Sequence, residues 1–248
     1  MLGHLPVPRT AKRMYYVRIF FPLMGWMLDI DDKRGTESEF GRSLPCIVVS
    51  NHVSYLDSVF FVKIMSTIFD GKYTLIASTY MGGKGQWELL KKMAILDDAI
   101  YTKGIHSTNQ EKAITRKDIE AHVNDKHQVP ILVFPEGQVH NCDKGIFRFE
   151  KFCFGLEATI LPVSAKLRHP FPIHLWHVHE WKMASFLCLL MIPFFKIDYC
   201  IHPQRQRIEH ESDVSFARRI QIQIARHLDV DATDLSIHQL DAYLSDVE

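Results

Sequence analysis

Two residues five positions apart, His52 and Asp57, are the pair in this sequence best suited to acid–base chemistry. They follow residues 46–50, whose apolar, β-branched character (C-I-V-V-S) predicts a buried strand. On one straight helix, five residues turn through about 500°, which leaves the two side chains about 140° apart. They can therefore meet only if His52 lies in a loop and Asp57 in the first turns of the next helix. Such an imidazole can take a proton from an alcohol while the carboxylate fixes its tautomer. The alternative is a structural histidine, since a chain with 14 histidines contains such a spacing by chance.

A second candidate is Glu136, which stands between Pro135 and Gly137 at the end of another apolar run, Ile131 to Phe134. This F-P-E-G sequence predicts a stiff, exposed turn directly after a strand. A carboxylate there can accept hydrogen bonds from a polyol or position a cation. The alternative is a solvated turn carboxylate without a function, because loops often carry charge.

Apolar runs alternate with helical segments along the chain, and this pattern predicts an α/β domain with a largely parallel sheet. Open sheets of this kind place their sites at the carboxyl ends of the strands, where both candidates fall. The predicted strands are residues 46–50, 73–78, 99–102, 129–134, 160–167 and 197–202. The predicted helices are residues 55–69, 87–93 and 109–124.

The distribution of basic, apolar and polar residues along the chain predicts three regions. Residues 1–42 predict a basic and apolar membrane-proximal helix followed by a polar loop, and residues 43–210 predict the α/β domain. Residues 211–248 predict a C-terminal helical extension that begins near Asp213. It is amphipathic because an apolar residue recurs at every fourth position, at Phe216, Ile220, Ile224 and Leu228.

The chain has no apolar segment of the roughly 20 residues that a transmembrane helix needs. Residues 19–28 and 184–195 are shorter apolar runs, each broken by proline. Each is long enough to lie at a membrane interface, and burial in the core is the alternative.

Composition excludes several classes of protein. The chain has 248 residues, of which 47% are hydrophobic, and Lys plus Arg equals Asp plus Glu at 29 each. A globular fold is expected, and the balanced charge argues against nucleic-acid binding. Five scattered cysteines without a C-x-x-C pair indicate reduced thiols. We expect no metal site, because the histidines at 174, 177 and 179 lack further ligands at a zinc-like spacing.

Four short blocks occur along the chain in a recognisable order. They are N-H-x-x-x-x-D at 51–57, I-Y-T-K ending at Lys103, F-P-E-G at 134–137 and L-P-V at 161–163. In these blocks the chain resembles the glycerolipid acyltransferase (PlsC-like) superfamily, and the resemblance covers residues 45–165. It implies the corresponding fold, a mixed, largely parallel sheet flanked by helices.

The resemblance also implies roles for single residues. His52 would be the general base that activates the acceptor hydroxyl, and Asp57 would orient it. Lys103, Glu136 and Gly137 would bind the acceptor, with Lys103 where the family usually has arginine. The donor would be acyl-CoA, used as a co-substrate, with no cofactor and no metal. The acceptor would be a lysophospholipid or a glycerol phosphate at a membrane surface.

The sequence departs from the family after F-P-E-G, where Gln138, Val139 and His140 replace the usual threonine or serine continuation. Downstream residues resemble the branch with lysophosphatidylcholine acyltransferases and ancient ubiquitous proteins. That branch implies the cytosolic face of the endoplasmic reticulum membrane and lipid droplets. It also keeps an alternative open, an acyltransferase-like scaffold that acts in protein quality control through partners of the ubiquitin system.

Overall fold

The computed structural model describes residues 18–19, 21–34, 46–54, 56–69, 73–78, 99–102, 107–125, 129–140, 143–169, 191–192, 194–236 and 238–239. Several predictions concern residues outside these ranges. They are the basic residues before 18, the helix 87–93, Lys103, the histidines at 174, 177 and 179, and most of the segment 184–195.

The described residues form a central sheet of seven strands. The strands are β1 (Trp26–Asp32), β2 (Cys46–Ser50), β3 (Thr74–Ser78), β4 (Ile100–Thr102), β5 (Ile131–Val133), β7 (Thr159–Arg168) and β8 (Phe195–Ile201), while β6 (Gly145–Ile146) pairs separately with β9 (Asp231–Ala232). Their order in the sheet is β1-β8-β7-β2-β5-β3-β4. All neighbouring strands run parallel except β7 and β8, which are antiparallel. The predicted mixed, largely parallel sheet is therefore confirmed.

The helices lie between and after the strands. They are α1 (Phe21–Leu23), α2 (Asp57–Ile68), α3 (Asn109–Asn124) and α4 (Asp213–Leu228), with a 3₁₀ turn at Lys151–Cys153. Among the described residues, no helix is both long and apolar enough to cross a bilayer.

The centre of the sheet is the most deeply buried part of the fold. Ile47, Val48 and Val49 of β2 are fully buried, because helices cover a parallel strand on both faces. This is why β2 reads in the sequence as a continuous apolar run instead of an alternating one.

The N-terminal segment differs from its prediction. Residues 26–32 were expected to end an apolar helix and begin a loop, but they form β1, paired in register with β8 from Trp26–Phe195 to Asp32–Ile201. That expectation is wrong because the burial pattern has a period of two: Trp26 and Leu28 face the core while Met27 and Asp29 are exposed. Charged residues are tolerated on this strand because it lies at the edge of the sheet.

The C-terminal helix begins where the sequence places it. Ser212 is its N-cap and accepts a hydrogen bond from the backbone N–H of Ser215, at 3.1 Å. The apolar positions Phe216, Ile220, Ile224 and Leu228 are buried, and Phe216 packs edge-on against Phe154. Both β1 and α4 contribute to the same hydrophobic core as β2, so this core is continuous across residues 42/43 and 210/211.

Candidate active site

Asn51 fixes the start of the loop that carries the candidate base. Its side-chain amide donates to the carbonyl of Ala165 and accepts from the Ala165 N–H, both at 2.8 Å. The amide thereby continues the pairing of β2 with β7 by one residue, in the manner of a backbone peptide. Since Asn51 is fully buried, the direction of the chain entering His52 is set by the sheet.

Asp57 is the first residue of α2 and binds back to this loop through one oxygen. Its Oδ2 accepts hydrogen bonds from His52 Nδ1 at 2.8 Å, Val53 N at 2.7 Å and Ser54 N at 3.0 Å. A carboxylate can only accept, so the proton of His52 lies on Nδ1 and its Nε2 presents a lone pair. The two N–H donors and the start of the helix also stabilise the negative charge of this buried group.

Aromatic side chains hold the His52 ring in place. Phe134 stacks on the imidazole with a centroid distance of 4.4 Å and an interplanar angle of 17°, and Phe61 of α2 packs edge-on against Phe134. His52 is only 8% exposed, and within the described residues no hydrogen bond engages its Nε2. The predicted pair is thus assembled, with one ring nitrogen available to a substrate.

Glu136 departs from its prediction. The expected exposed turn is wrong for this side chain, which is fully buried. Its Oε1 accepts from His52 N and its Oε2 from Phe147 N, both at 2.8 Å. The chain turns back at Gly137, which is exposed and has a left-handed φ of 73°, so Glu136 points inward below the His52 loop.

His140 was named in the sequence only as a departure from the family pattern, and the structure places it in the site. Its Nε2 bonds to Oε2 of Glu136, and its backbone N–H donates to the carbonyl of His52 at 3.0 Å. Its ring lies 4.6 Å from that of Phe147. Both backbone polar groups of His52 are therefore bonded to the 136–140 segment. The sequence signal for this link was weak, a histidine four positions after a glutamate.

Tyr199 of β8 lies on the α2 side of the sheet, where its ring packs edge-on against Phe61. Burial, and next the charge of Asp57, raise the pKa of Tyr199 well above its usual value. Among the described residues none bonds the Tyr199 hydroxyl or Oδ1 of Asp57. Tyr199 therefore stays protonated beside the charged pair and does not act as a base.

Of the two remaining predicted site residues, the structure describes Gly137 but not Lys103. Gly137 lies at the exposed end of the Glu136 turn. Lys103 immediately follows β4, which is separated from β2 by β5 and β3 and runs parallel to them. Lys103 itself lies outside the described residues.

Comparison with known proteins identifies the family. The family model described as Acyltransferase matches residues 34–166, which is more than half of the 248-residue chain. The chain belongs to the Acyltransferase family. The matched segment contains the His52–Asp57 pair and the Glu136 turn, and the predicted superfamily is confirmed.

Curated relatives are similar to this chain over most of its length. "Glycerol-3-phosphate acyltransferase 3" of Homo sapiens is 29% identical over 180 residues, covering 72% of this chain and 39% of that protein. "Glycerol-3-phosphate acyltransferase 4" of Bos taurus is 26% identical over 233 residues, covering 91% of this chain and 48% of that protein. The chain thus spans less than half the length of these relatives.

A solved structure shares the fold. The 1-acyl-sn-glycerophosphate acyltransferase PlsC from Thermotoga maritima superposes with a TM-score of 0.52 at 14% sequence identity. The match covers 89% of this chain and 78% of PlsC. The glycerolipid acyltransferase fold is therefore confirmed, while the narrower likeness to the lysophosphatidylcholine acyltransferase branch stays a prediction.

Proposed function

We propose that this acyltransferase moves a fatty acyl group from acyl-CoA to the hydroxyl of a glycerol-phosphate or lysophospholipid acceptor at a membrane surface. The observation that carries the proposal is the buried His52–Asp57 hydrogen bond of 2.8 Å, with Nε2 of His52 left to receive a proton. Glycerol 3-phosphate is the first acceptor to test, since the relatives named above are called glycerol-3-phosphate acyltransferases.

The proposed reaction begins with proton transfer. Nε2 of His52 takes the acceptor hydroxyl proton as the oxygen attacks the thioester carbonyl carbon, and Asp57 stabilises the imidazolium. The tetrahedral intermediate then expels the CoA sulfur, so an ester C–O bond forms and the C–S bond breaks. The proton on His52 passes to the leaving thiolate, which returns the histidine to its neutral form. No cofactor or metal enters these steps.

The recognition of the acceptor is part of the same proposal. We assign the acceptor phosphate to Lys103, whose ammonium offers a point charge but lacks the planar, two-pronged donors of arginine. Gly137, on the exposed side of the turn, is assigned to the acceptor backbone. Glu136 is assigned an indirect role, because its carboxylate oxygens bond to the backbone and to His140 within the protein.

Exposed apolar side chains support the membrane location. Leu23, Met191 and Phe194 are 78%, 79% and 64% exposed. Phe194 touches the backbone turn before β1 and directly precedes β8, which begins beside the carboxyl end of the antiparallel β7. Since β7 is parallel to β2, this apolar surface and His52 both lie beyond the carboxyl ends of these two strands. We place this end of the sheet on the cytosolic face of the endoplasmic reticulum membrane, with lipid droplets as a second location.

The test is acyl transfer from labelled acyl-CoA to glycerol 3-phosphate and a panel of lysophospholipids. We compare the wild type with His52→Asn and with the matched control His210→Asn. His210 is 91% exposed on its side chain, and its left-handed φ of 63° is one that asparagine tolerates. Loss of a general base lowers turnover by about 10²- to 10⁴-fold.

The proposal predicts that only His52→Asn loses turnover, with circular dichroism and melting temperature preserved. The proposal would be overturned if the folded, vesicle-bound wild type transferred acyl groups to none of the acceptors and did not differ from His52→Asn. That result would leave the scaffold as the remaining reading.

A further inference from the structure

A cluster of three metal-ligand side chains lies apart from the acyl-transfer site. Cys200 of β8, His202 just after it and His227 in the last turn of α4 have ligand atoms within 4.8 Å of one another. It is the one such group among the described residues. Cys200 and His202 are two positions apart and share one face of the extended chain, whereas Tyr199 points to the opposite face. We propose that Cys200, His202 and His227 bind a zinc ion that fastens the end of α4 to β8.

The donor set suits zinc. One thiolate and two imidazoles are borderline-soft ligands of the kind that zinc prefers in proteins. In a tetrahedral site with bonds of roughly 2.0–2.3 Å, the donors stand about 3.3–3.6 Å apart. The ligand atoms, which now lie within 4.8 Å of one another, must approach one another by up to about 1.2–1.5 Å to bind an ion of that size. His227 is exposed at the end of a helix and can supply this movement, and it also provides the entry path for the ion.

Neighbouring groups are placed to orient the ligands. The hydroxyl of Ser164 lies 3.1 Å from Nε2 of His202, and Ser164 stands opposite Cys200 in the β7–β8 ladder. A hydroxyl there can accept the Nε2 proton and leave the Nδ1 lone pair for the metal, an arrangement typical of metal-binding histidines. The rings of His202 and His227 are 5.0 Å apart and edge-on. The two imidazole rings therefore already lie next to each other.

A fourth ligand is available from the next strand. Asp31 of β1 pairs with Cys200 across the β1–β8 ladder, and its carboxylate is the nearest anionic oxygen donor by register. In the described structure Lys33 forms a salt bridge with Asp31 at 3.2 Å, and its ammonium also interacts electrostatically with Cys200. Zinc and the Lys33 ammonium therefore compete for these two groups. The Lys33 side chain is half exposed and can swing into solvent when the ion binds.

Zinc binding releases one proton from the protein. The Cys200 S–H bond is replaced by an S–Zn bond, and the thiol proton is released to solvent. Of the remaining charged groups around the cluster, Lys166 and Arg205 are cationic and weaken the affinity for a cation, whereas the Asp32 carboxylate is paired with Arg34. We therefore expect Lys33→Gln to tighten zinc binding, since it removes the competing ammonium and leaves Asp31 free to coordinate.

The test uses the full chain and two metals. After equilibration with micromolar zinc and removal of free metal, the wild type should retain one zinc per chain. Cobalt added to the metal-free protein should give the thiolate-to-cobalt charge-transfer absorption of a cysteine ligand. His227→Ala should lose at least ten-fold in zinc affinity, and Cys200→Ser should lose the charge-transfer band. His210→Asn is the matched control and should bind like the wild type.

The readouts are independent of acyl transfer, because the cluster faces away from Tyr199 and does not contact His52. Wild type that retains no zinc would overturn the proposal. Retention by His227→Ala at the wild-type affinity would also overturn it. His227 is exposed, so this variant keeps the test valid even where Cys200→Ser does not fold.

Discussion

Glu136→Gln tests how the buried carboxylate supports the base. The carboxylate accepts bonds from His52 N, Phe147 N and His140 Nε2, and both of its oxygens are used. Glutamine replaces one oxygen by an NH₂ group, which cannot accept. In either orientation of the amide, one buried backbone N–H loses its acceptor, that of His52 or that of Phe147. Loss of a charge-assisted bond and an unsatisfied donor together cost about 2–4 kcal/mol.

The expected result has two parts. Urea unfolding should show a free energy of unfolding lower by about 2–4 kcal/mol, which a domain of ordinary stability survives. Acyl transfer should show kcat lower by about 10- to 100-fold, because the His52 backbone loses its anchor and the base shifts. KM for acyl-CoA should change little, since the carboxylate bonds only within the protein.

The matched control is Glu157→Gln, at an exposed carboxylate, which should stay within about 0.5 kcal/mol of wild type. If Glu136→Gln matches this control in stability and keeps the wild-type kcat, the positioning role is refuted. A raised KM for the acceptor with unchanged kcat would instead show that Glu136 contacts the acceptor, as the family resemblance implied.

Three further perturbations follow from the same contacts. Asp57→Asn should lower kcat by about 10³- to 10⁴-fold in the acyl-transfer assay, because the amide no longer fixes the His52 tautomer. Tyr199→Phe should remove an alkaline loss of stability. The pKa of Tyr199 is raised by burial, so above about pH 10 only the unfolded state loses this proton and stability falls by about 1.4 kcal/mol per pH unit. Phe216→Ala should lower the free energy of unfolding by about 3–5 kcal/mol in urea, because it opens a cavity against Phe154.

A specific result would contradict each of these three predictions. Asp57→Asn with wild-type kcat would mean that the aspartate is only structural. A Tyr199→Phe protein that loses stability between pH 9 and 11 as steeply as wild type would show that this hydroxyl does not carry the alkaline transition. Val214→Ala, at an exposed position of the same helix, is the control for Phe216→Ala. Equal effects of these two would show that α4 does not depend on its buried face.

The sequence determined the elements whose signals are local. The β-branched run of β2 and the four-residue apolar repeat of α4 each act within a few residues, so the spacing of apolar residues places these elements closely. It also determined the His52–Asp57 pair, because five residues across a strand–helix junction hold both partners. The N-terminal strand was misread, since its apolar residues form too short a run to separate a period of two from a helix.

Only the tertiary structure decided which distant groups meet at the site. Glu136 bonds to the backbone of His52, 84 positions away, and Asn51 bonds to Ala165, 114 positions away. Cys200 and His227 belong to different elements and meet because α4 packs against β7, the neighbour of β8 in the sheet. These contacts follow from the order and direction of the strands, which depend on the sum of many weak packing energies across the chain. No short segment carries that information, and so the sequence alone predicted the His52–Asp57 pair but not the buried network that holds it.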